Sequence, residues 1–90
     1  MKTLKIKING IVQGVFFRKF VKESAEEIGI RGYVRNLNDG NVELIIEGKD
    51  EKVNEMLNRC KKGPKHSEIK DIEIEEIKHQ GFDGFKVSSL

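Results

Sequence analysis

The chain has 90 residues, of which 37% are hydrophobic and 36% are charged, and this mixture is typical of one small folded domain rather than a disordered segment. Its formal net charge of +2 is too small to indicate a nucleic-acid or membrane-surface partner by itself. A single cysteine excludes an internal disulfide, and no apolar run exceeds three residues, which excludes a transmembrane helix or a signal-peptide core. We therefore expect one cytoplasmic domain over residues 1–90.

The first half of the chain changes from a strand pattern to a helix pattern. Apolar and charged residues alternate over residues 3–9, which predicts a half-buried strand. After a segment punctuated by Gly10 and Gly14, the apolar period becomes that of an amphipathic helix. Gly29 follows its last apolar residue, at the position where a left-handed C-cap favours glycine. The apolar stripe of this helix is Phe17, Phe20, Val21, Ala25 and Ile28.

The second half repeats strands and a helix. Residues 33–37 and 42–47 predict two strands joined by a hairpin turn at Asp39-Gly40. The helical period returns at Asp50 and ends at Gly63-Pro64, because proline cannot continue a helix. Residues 69–77 predict a long strand whose apolar residues fall out of phase, which indicates a β-bulge or a twist. Residues 84–87 predict a short edge strand.

The order strand, helix, strand, strand, helix, strand predicts an α+β fold. It fits a ferredoxin-like βαββαβ sandwich in which both helices pack on one face of an antiparallel sheet. Because this fold carries many unrelated activities, function has to be argued from a site.

The segment from Gly10 to Arg18 is the candidate site. A glycine-bearing loop leaves a strand and enters a helix that carries an arginine near its start. Backbone N–H groups in such a loop, with the positive end of the helix dipole, can hold an anion of phosphate size. A guanidinium adds two parallel donors that suit phosphate oxygens. Loop glycines also serve turn geometry alone, so loop chemistry leaves both interpretations open.

Other chemistries find little support in the sequence. The nucleotide P-loop and the G-x-G-x-x-G pattern are both absent. Cys60 lies on the apolar stripe of the second helix and has no arginine six residues later, which favours a core role over a phosphatase nucleophile. His66 and His79 have no cysteine or carboxylate at ligand spacing, so we expect no metal site.

Two motifs resemble those of the acylphosphatase family. Residues 10–18, GIVQGVFFR, resemble its signature G-x-V-Q-G-V-x-F-R, and residues 32–36, GYVRN, resemble its second motif G-[WY]-V-x-N. The resemblance continues through Asp39-Gly40, Gly63-Pro64 and the terminal residues 84–87, in order and at family-like spacing. It implies an acylphosphatase-like domain over nearly the whole chain.

The resemblance also implies a reaction and a set of site residues. The reaction is metal-free hydrolysis of a small acyl phosphate to a carboxylate and inorganic phosphate, with no cofactor, nucleic acid or membrane involved and with the protein a monomer. Arg18 would be the phosphate-binding catalytic arginine, and Asn36 would orient the attacking water. The backbone amides that cradle the phosphate would come from Gln13, Gly14, Val15, Phe16, Phe17 and Arg18.

Two other functions remain open from the sequence. Acylphosphatase-like domains also occur within hydrogenase-maturation proteins, where the implied ligand is carbamoyl phosphate, so a binding module is the second interpretation. An RNA-recognition module is the third, because residues 31–34, RGYV, partly resemble its central strand. Lysines and aromatic residues are not interleaved on one sheet face as base stacking requires, which argues against RNA.

Overall fold

The computed structural model of the protein describes residues 1–11, 15–65 and 67–88. The predicted order of strands and helices is confirmed, and the boundaries agree to within a few residues. None of the described helices combines the length and the apolarity that crossing a membrane requires. In chain order the elements are β1 (Lys2–Ile11), α1 (Val15–Ile28), β2 (Arg31–Asn36), β3 (Val42–Gly48), α2 (Asp50–Lys62), β4 (Glu68–Glu76) and β5 (Phe85–Ser88).

The five strands form one sheet in the order β4-β1-β3-β2-β5. The pairs β1–β3, β1–β4 and β2–β3 are antiparallel, as expected for the ferredoxin-like fold, whereas β5 is parallel to β2. The sheet is therefore mixed rather than wholly antiparallel. After β4 the chain crosses to the opposite edge at the end of the sheet where β1 and β2 begin, so that β5 has to run in the direction of β2.

Both helices cover the same face of the sheet, as the apolar periods predict. Helix α1 packs against β2 and β5, while α2 packs against β1, β3 and β4. The predicted apolar stripes of both helices enter the core, together with the predicted inward faces of β1 and β3. The fully buried side chains include Ile6, Ile8, Val21, Val34, Leu44, Ile46, Val53, Met56 and Cys60.

The predicted local features of the chain are also present. Gly29 takes a φ of 91° directly after α1 and donates its N–H to the Ala25 carbonyl, which is the C-cap expected from its position. The predicted irregularity in β4 is a register shift, since Asn9 pairs with Asp71 while Gly10 pairs with Ile69. Lys70 is the extra residue of this bulge. The shift lies where β1 ends and the candidate loop begins.

Candidate active site

The strand directions bring the two predicted motifs to one end of the sheet. β1 and β2 are both antiparallel to β3 and therefore run in the same direction, so their carboxyl ends lie on the same side of the molecule. The chain leaves β1 there and enters α1 at Val15, while β2 ends there at Asn36. Of the predicted phosphate-binding residues, Gln13 and Gly14 lie outside the described residues.

Gly10 explains why the first motif begins with glycine. Its φ is 149°, a conformation that residues with a side chain rarely adopt. A Cβ atom at this position would also collide with the backbone carbonyl oxygen of Glu68 on β4. The close approach of the two backbones therefore requires glycine, and it fixes the point from which the loop toward α1 leaves the sheet.

The first turn of α1 presents backbone donors and no carboxylate. Phe17 is only 3% exposed and anchors the turn in the core, whereas Phe16 is 84% exposed. Arg18 is partly buried in the same turn, which contains no acidic residue. The first N–H groups of a helix have no acceptor within the helix, and they lie at the positive end of its dipole. This turn can therefore bind an anion, with the Arg18 guanidinium as an additional donor.

Asn36 carries a buried acceptor at the end of β2. By the two-residue period of the strand it shares a face with Val34, which lies in the core beneath the helices. Its side-chain oxygen Oδ1 is buried, and no described residue donates a hydrogen bond to it. An unsatisfied buried acceptor costs about 1–3 kcal/mol, so such atoms are rare unless they serve a ligand or a water. The position suits an oxygen that binds a water molecule.

Tyr33, in the second motif, belongs to a polar network on the helix-free face of the sheet. Its hydroxyl donates to Glu43 Oε1 at 2.6 Å, and Arg35 Nε donates to the same oxygen at 3.0 Å. Burial and the Glu43 carboxylate raise the pKa of Tyr33 to about 12. The ring of Phe82 packs against Tyr33 edge to face. Tyr33 thus has a structural role on this face of the sheet.

The structure places the cysteine and one of the two histidines. Cys60 is fully buried on α2, and burial raises the pKa of its thiol to about 12. His79 is exposed, with Nδ1 3.3 Å from Glu47 Oε2, while His66 lies outside the described residues. Within residues 1–11, 15–65 and 67–88, no three His, Cys, Asp or Glu side chains are grouped to hold a metal ion.

Glu47 is a residue that the sequence patterns did not single out. It is fully buried on β3, where its carboxylate accepts hydrogen bonds from the connection between β4 and β5. In the sequence it is one of two glutamates within residues 42–47, which predict a strand. Its position next to a run of apolar residues was a signal that it is buried. That signal could not indicate its hydrogen-bond donors, because they lie more than thirty residues away in the sequence.

A family model, a relative and a solved structure share the name acylphosphatase. A family model described as acylphosphatase matches residues 4–87. An acylphosphatase of Thermotoga maritima is 39% identical over 97% of each chain. The crystal structure of acylphosphatase from Bacillus subtilis superposes with a TM-score of 0.93 at 32% identity, covering 98% of this chain and 99% of that one.

The same fold also occurs inside a longer protein. The structure of T. kodakarensis HypF matches with a TM-score of 0.87 at 41% identity. The match covers 100% of this chain and only 12% of the HypF chain. The family model, the relatives matched over nearly their whole length and the two motifs at one end of the sheet all indicate the same family. The chain belongs to the acylphosphatase family.

Proposed function

We propose that the protein hydrolyses small acyl phosphates to a carboxylate and inorganic phosphate by in-line attack of water, without a metal ion. The observation that carries this proposal is the buried Asn36 Oδ1, which lacks a donor among the described residues at the end of the sheet where α1 begins. The two reactants of this hydrolysis are the acyl phosphate, whose phosphate group would bind at that helix start, and a water molecule, which would bind to Asn36.

The phosphate group binds at the start of α1 in this proposal. Backbone N–H groups between Gln13 and Arg18 donate to its oxygens, and the Arg18 guanidinium supplies a planar pair of donors. The absence of acidic residues from the first turn leaves the positive helix end available to the anion. Phosphoryl transfer spreads negative charge over the equatorial oxygens, so these fixed donors stabilise the transition state.

Asn36 positions the nucleophile. A carboxamide is too weak a base to remove a proton from water, but its oxygen can accept one water hydrogen and aim the lone pair at phosphorus. The water proton passes to a phosphate oxygen of the substrate. The leaving carboxylate needs no strong acid to expel it, since an acyl phosphate is a mixed anhydride. Cys60 is buried and its thiol pKa is about 12, which favours water over a thiolate as nucleophile.

The proposal also concerns the setting of the reaction. We infer that the protein acts as a monomer in the cytoplasm on a small-molecule acyl phosphate, with no nucleic-acid or membrane partner. The near-balanced charge and the single buried cysteine support this inference.

Hydrolysis of benzoyl phosphate in the presence of a chelator tests the proposal. The wild type should accelerate it strongly, and Arg18→Ala should abolish both turnover and the protection against heat that inorganic phosphate gives. Arg31→Ala is the matched control, because Arg31 lies at the opposite end of β2 from Asn36 and should leave both properties unchanged. A wild type that does not hydrolyse benzoyl or acetyl phosphate under these conditions would overturn the proposal.

A phosphate-binding domain without turnover is the second candidate function. It is favoured by T. kodakarensis HypF, in which this fold forms a small part of a longer chain. Protection by phosphate without hydrolysis of any acyl phosphate would support it. Turnover that is lost in Arg18→Ala would exclude it as the sole function.

A further inference from the structure

An open groove lies beside the proposed phosphate site. It runs between α1 and the loop that follows α2, with a volume of about 810 Å³. Phe16 and Phe20 contribute its α1 wall, and Pro64 and Ser67 contribute the wall opposite. We call this surface the Phe16 groove.

The groove exposes a large aromatic side chain. Phe16 is 84% exposed, more than the other large hydrophobic side chains that the structure describes. Phe20 is partly buried against the core, and its ring centroid lies 6.4 Å from that of Phe17. A groove lined by an exposed phenylalanine and a second, partly buried one offers a favourable site for another apolar group.

The charged groups of the groove are partly neutralised by each other. Arg59 Nη2 lies 2.9 Å from Glu27 Oε1, and both residues contribute to the lining. This pair holds the pKa of the Glu27 carboxyl below its usual range. Lys19, Lys65 and Glu23 also contribute to the lining, and the lysines are exposed. The aromatic and proline surface therefore sets the preference of the groove for an apolar occupant.

The groove lies on the side of the phosphate site opposite Asn36. In the sheet order, β2 lies on one side of β1 and β4 lies on the other. Asn36 ends β2, whereas Pro64 and Ser67 precede β4, whose first residues pair with Gly10 and Ile11. The end of β1, at Gly10 and Ile11, thus lies between Asn36 and the far wall of the groove.

Phe16 and Arg18, both in the first turn of α1, also lie on different sides of the helix. Residues two apart on a helix point about 200° apart around its axis. Phe16 contributes to the groove, so Arg18 points to the side of α1 away from it. The polar and apolar side chains of this turn are therefore separated.

We propose that the Phe16 groove binds the acyl group of the substrate, which makes aromatic and bulky apolar acyl phosphates the preferred class. In an in-line displacement the attacking water and the leaving oxygen lie on opposite sides of phosphorus. With water on Asn36, the acyl group leaves toward the groove. The inference rests on the proposed function, because it takes the phosphate position and the Asn36-bound water from it.

The test compares benzoyl phosphate with acetyl phosphate in the wild type, Phe16→Ala and Phe16→Leu. Phe16→Ala should lower the ratio of their kcat/KM values about tenfold, the scale for losing an apolar contact in a specificity pocket. Phe16→Leu keeps an apolar side chain, so its ratio of kcat/KM values should lie between those of the wild type and Phe16→Ala. Any effect on the backbone cradle acts on both substrates and cancels in the ratio. Ile74→Ala is the control, since this exposed apolar residue on β4 lies outside the groove.

Each outcome separates the two proposals. A ratio that is unchanged in Phe16→Ala, with both substrates still hydrolysed, overturns the acyl subsite and leaves the proposed function standing. A wild type that hydrolyses neither substrate overturns the proposed function itself. A concentration-dependent dimer that Phe16→Ala dissociates, again with an unchanged ratio, would identify a second copy of the chain as the occupant and overturn the acyl subsite.

Discussion

The carboxylate of Glu47 on β3 accepts a hydrogen bond of 2.7 Å from the hydroxyl of Thr3 on β1, in a position closed to solvent. The same carboxylate accepts the backbone N–H groups of Gln80, Gly81 and Phe82 at 2.6, 3.0 and 3.2 Å. It thereby fixes the connection that crosses from β4 to β5. The parallel pairing of β5 with β2 depends on this crossing.

These hydrogen bonds make stability depend on pH. Burial alone would raise the pKa of Glu47, but the donors from Gln80, Thr3, Phe82 and Gly81 outweigh it and lower the pKa to about 2, from 4.5 in a free side chain. Because the folded pKa lies below the unfolded one, the contribution is complete above pH 4.5 and is lost as the pH falls toward 2. Its size is up to about 3 kcal/mol.

Urea unfolding of the wild type and Glu47→Gln at pH 7 and at pH 3 measures this contribution. We expect Glu47→Gln to be about 2–4 kcal/mol less stable at pH 7, because an amide N–H₂ would face backbone N–H groups. The difference should shrink at pH 3. Glu75→Gln, at an exposed position on β4, is the control. Equal stability of Glu47→Gln and wild type at pH 7 would contradict the prediction.

A second prediction concerns Gly10. Gly10→Ala should destabilise the protein by about 2–4 kcal/mol, because the new Cβ meets the Glu68 carbonyl and the positive φ becomes strained. Gly84→Ala is the matched control, since a Cβ there meets no other atom. Thermal unfolding of both variants checks the difference. A Gly10→Ala variant as stable as Gly84→Ala would show that the two backbones can move apart at little cost.

Much of the fold follows from local patterns in the sequence. The period of the apolar residues predicts both helices and their buried faces, Gly29 predicts the end of α1, and the phase change near Ile69 predicts the bulge in β4. The parallel pairing of β5 is not predictable in this way, because it depends on Glu47 receiving hydrogen bonds from residues far along the chain.

The site was predictable only in part. The resemblance singles out Arg18 and Asn36, and the strand directions put the ends of their elements on the same side of the sheet. The exposure of Phe16 and its place in a groove with Pro64 arise from the way α1 and the loop after α2 lie on either side of that groove. Sequence spacing contains no information about that arrangement.

Asn36 provides the prediction that best separates catalysis from folding. Since no described residue donates to its buried Oδ1, Asn36→Ala removes an acceptor that the described fold leaves unpaired. The Tm of Asn36→Ala should therefore fall by no more than about 5 °C, as for a change under 1 kcal/mol in a domain of this size. Turnover of benzoyl phosphate should fall by about 10²–10³-fold, the scale for losing one pre-placed polar group.

The comparison variant is Asn38→Ala, an exposed asparagine in the neighbouring turn, which should retain wild-type turnover. Protection by inorganic phosphate should persist in Asn36→Ala, because Arg18 and the first turn of α1 bind the anion while Asn36 positions the water. An Asn36→Ala variant that unfolds far below the wild type yet keeps its turnover per folded molecule would assign this residue to the fold instead. Loss of phosphate protection together with turnover would make it an anion ligand rather than the group that aims the water.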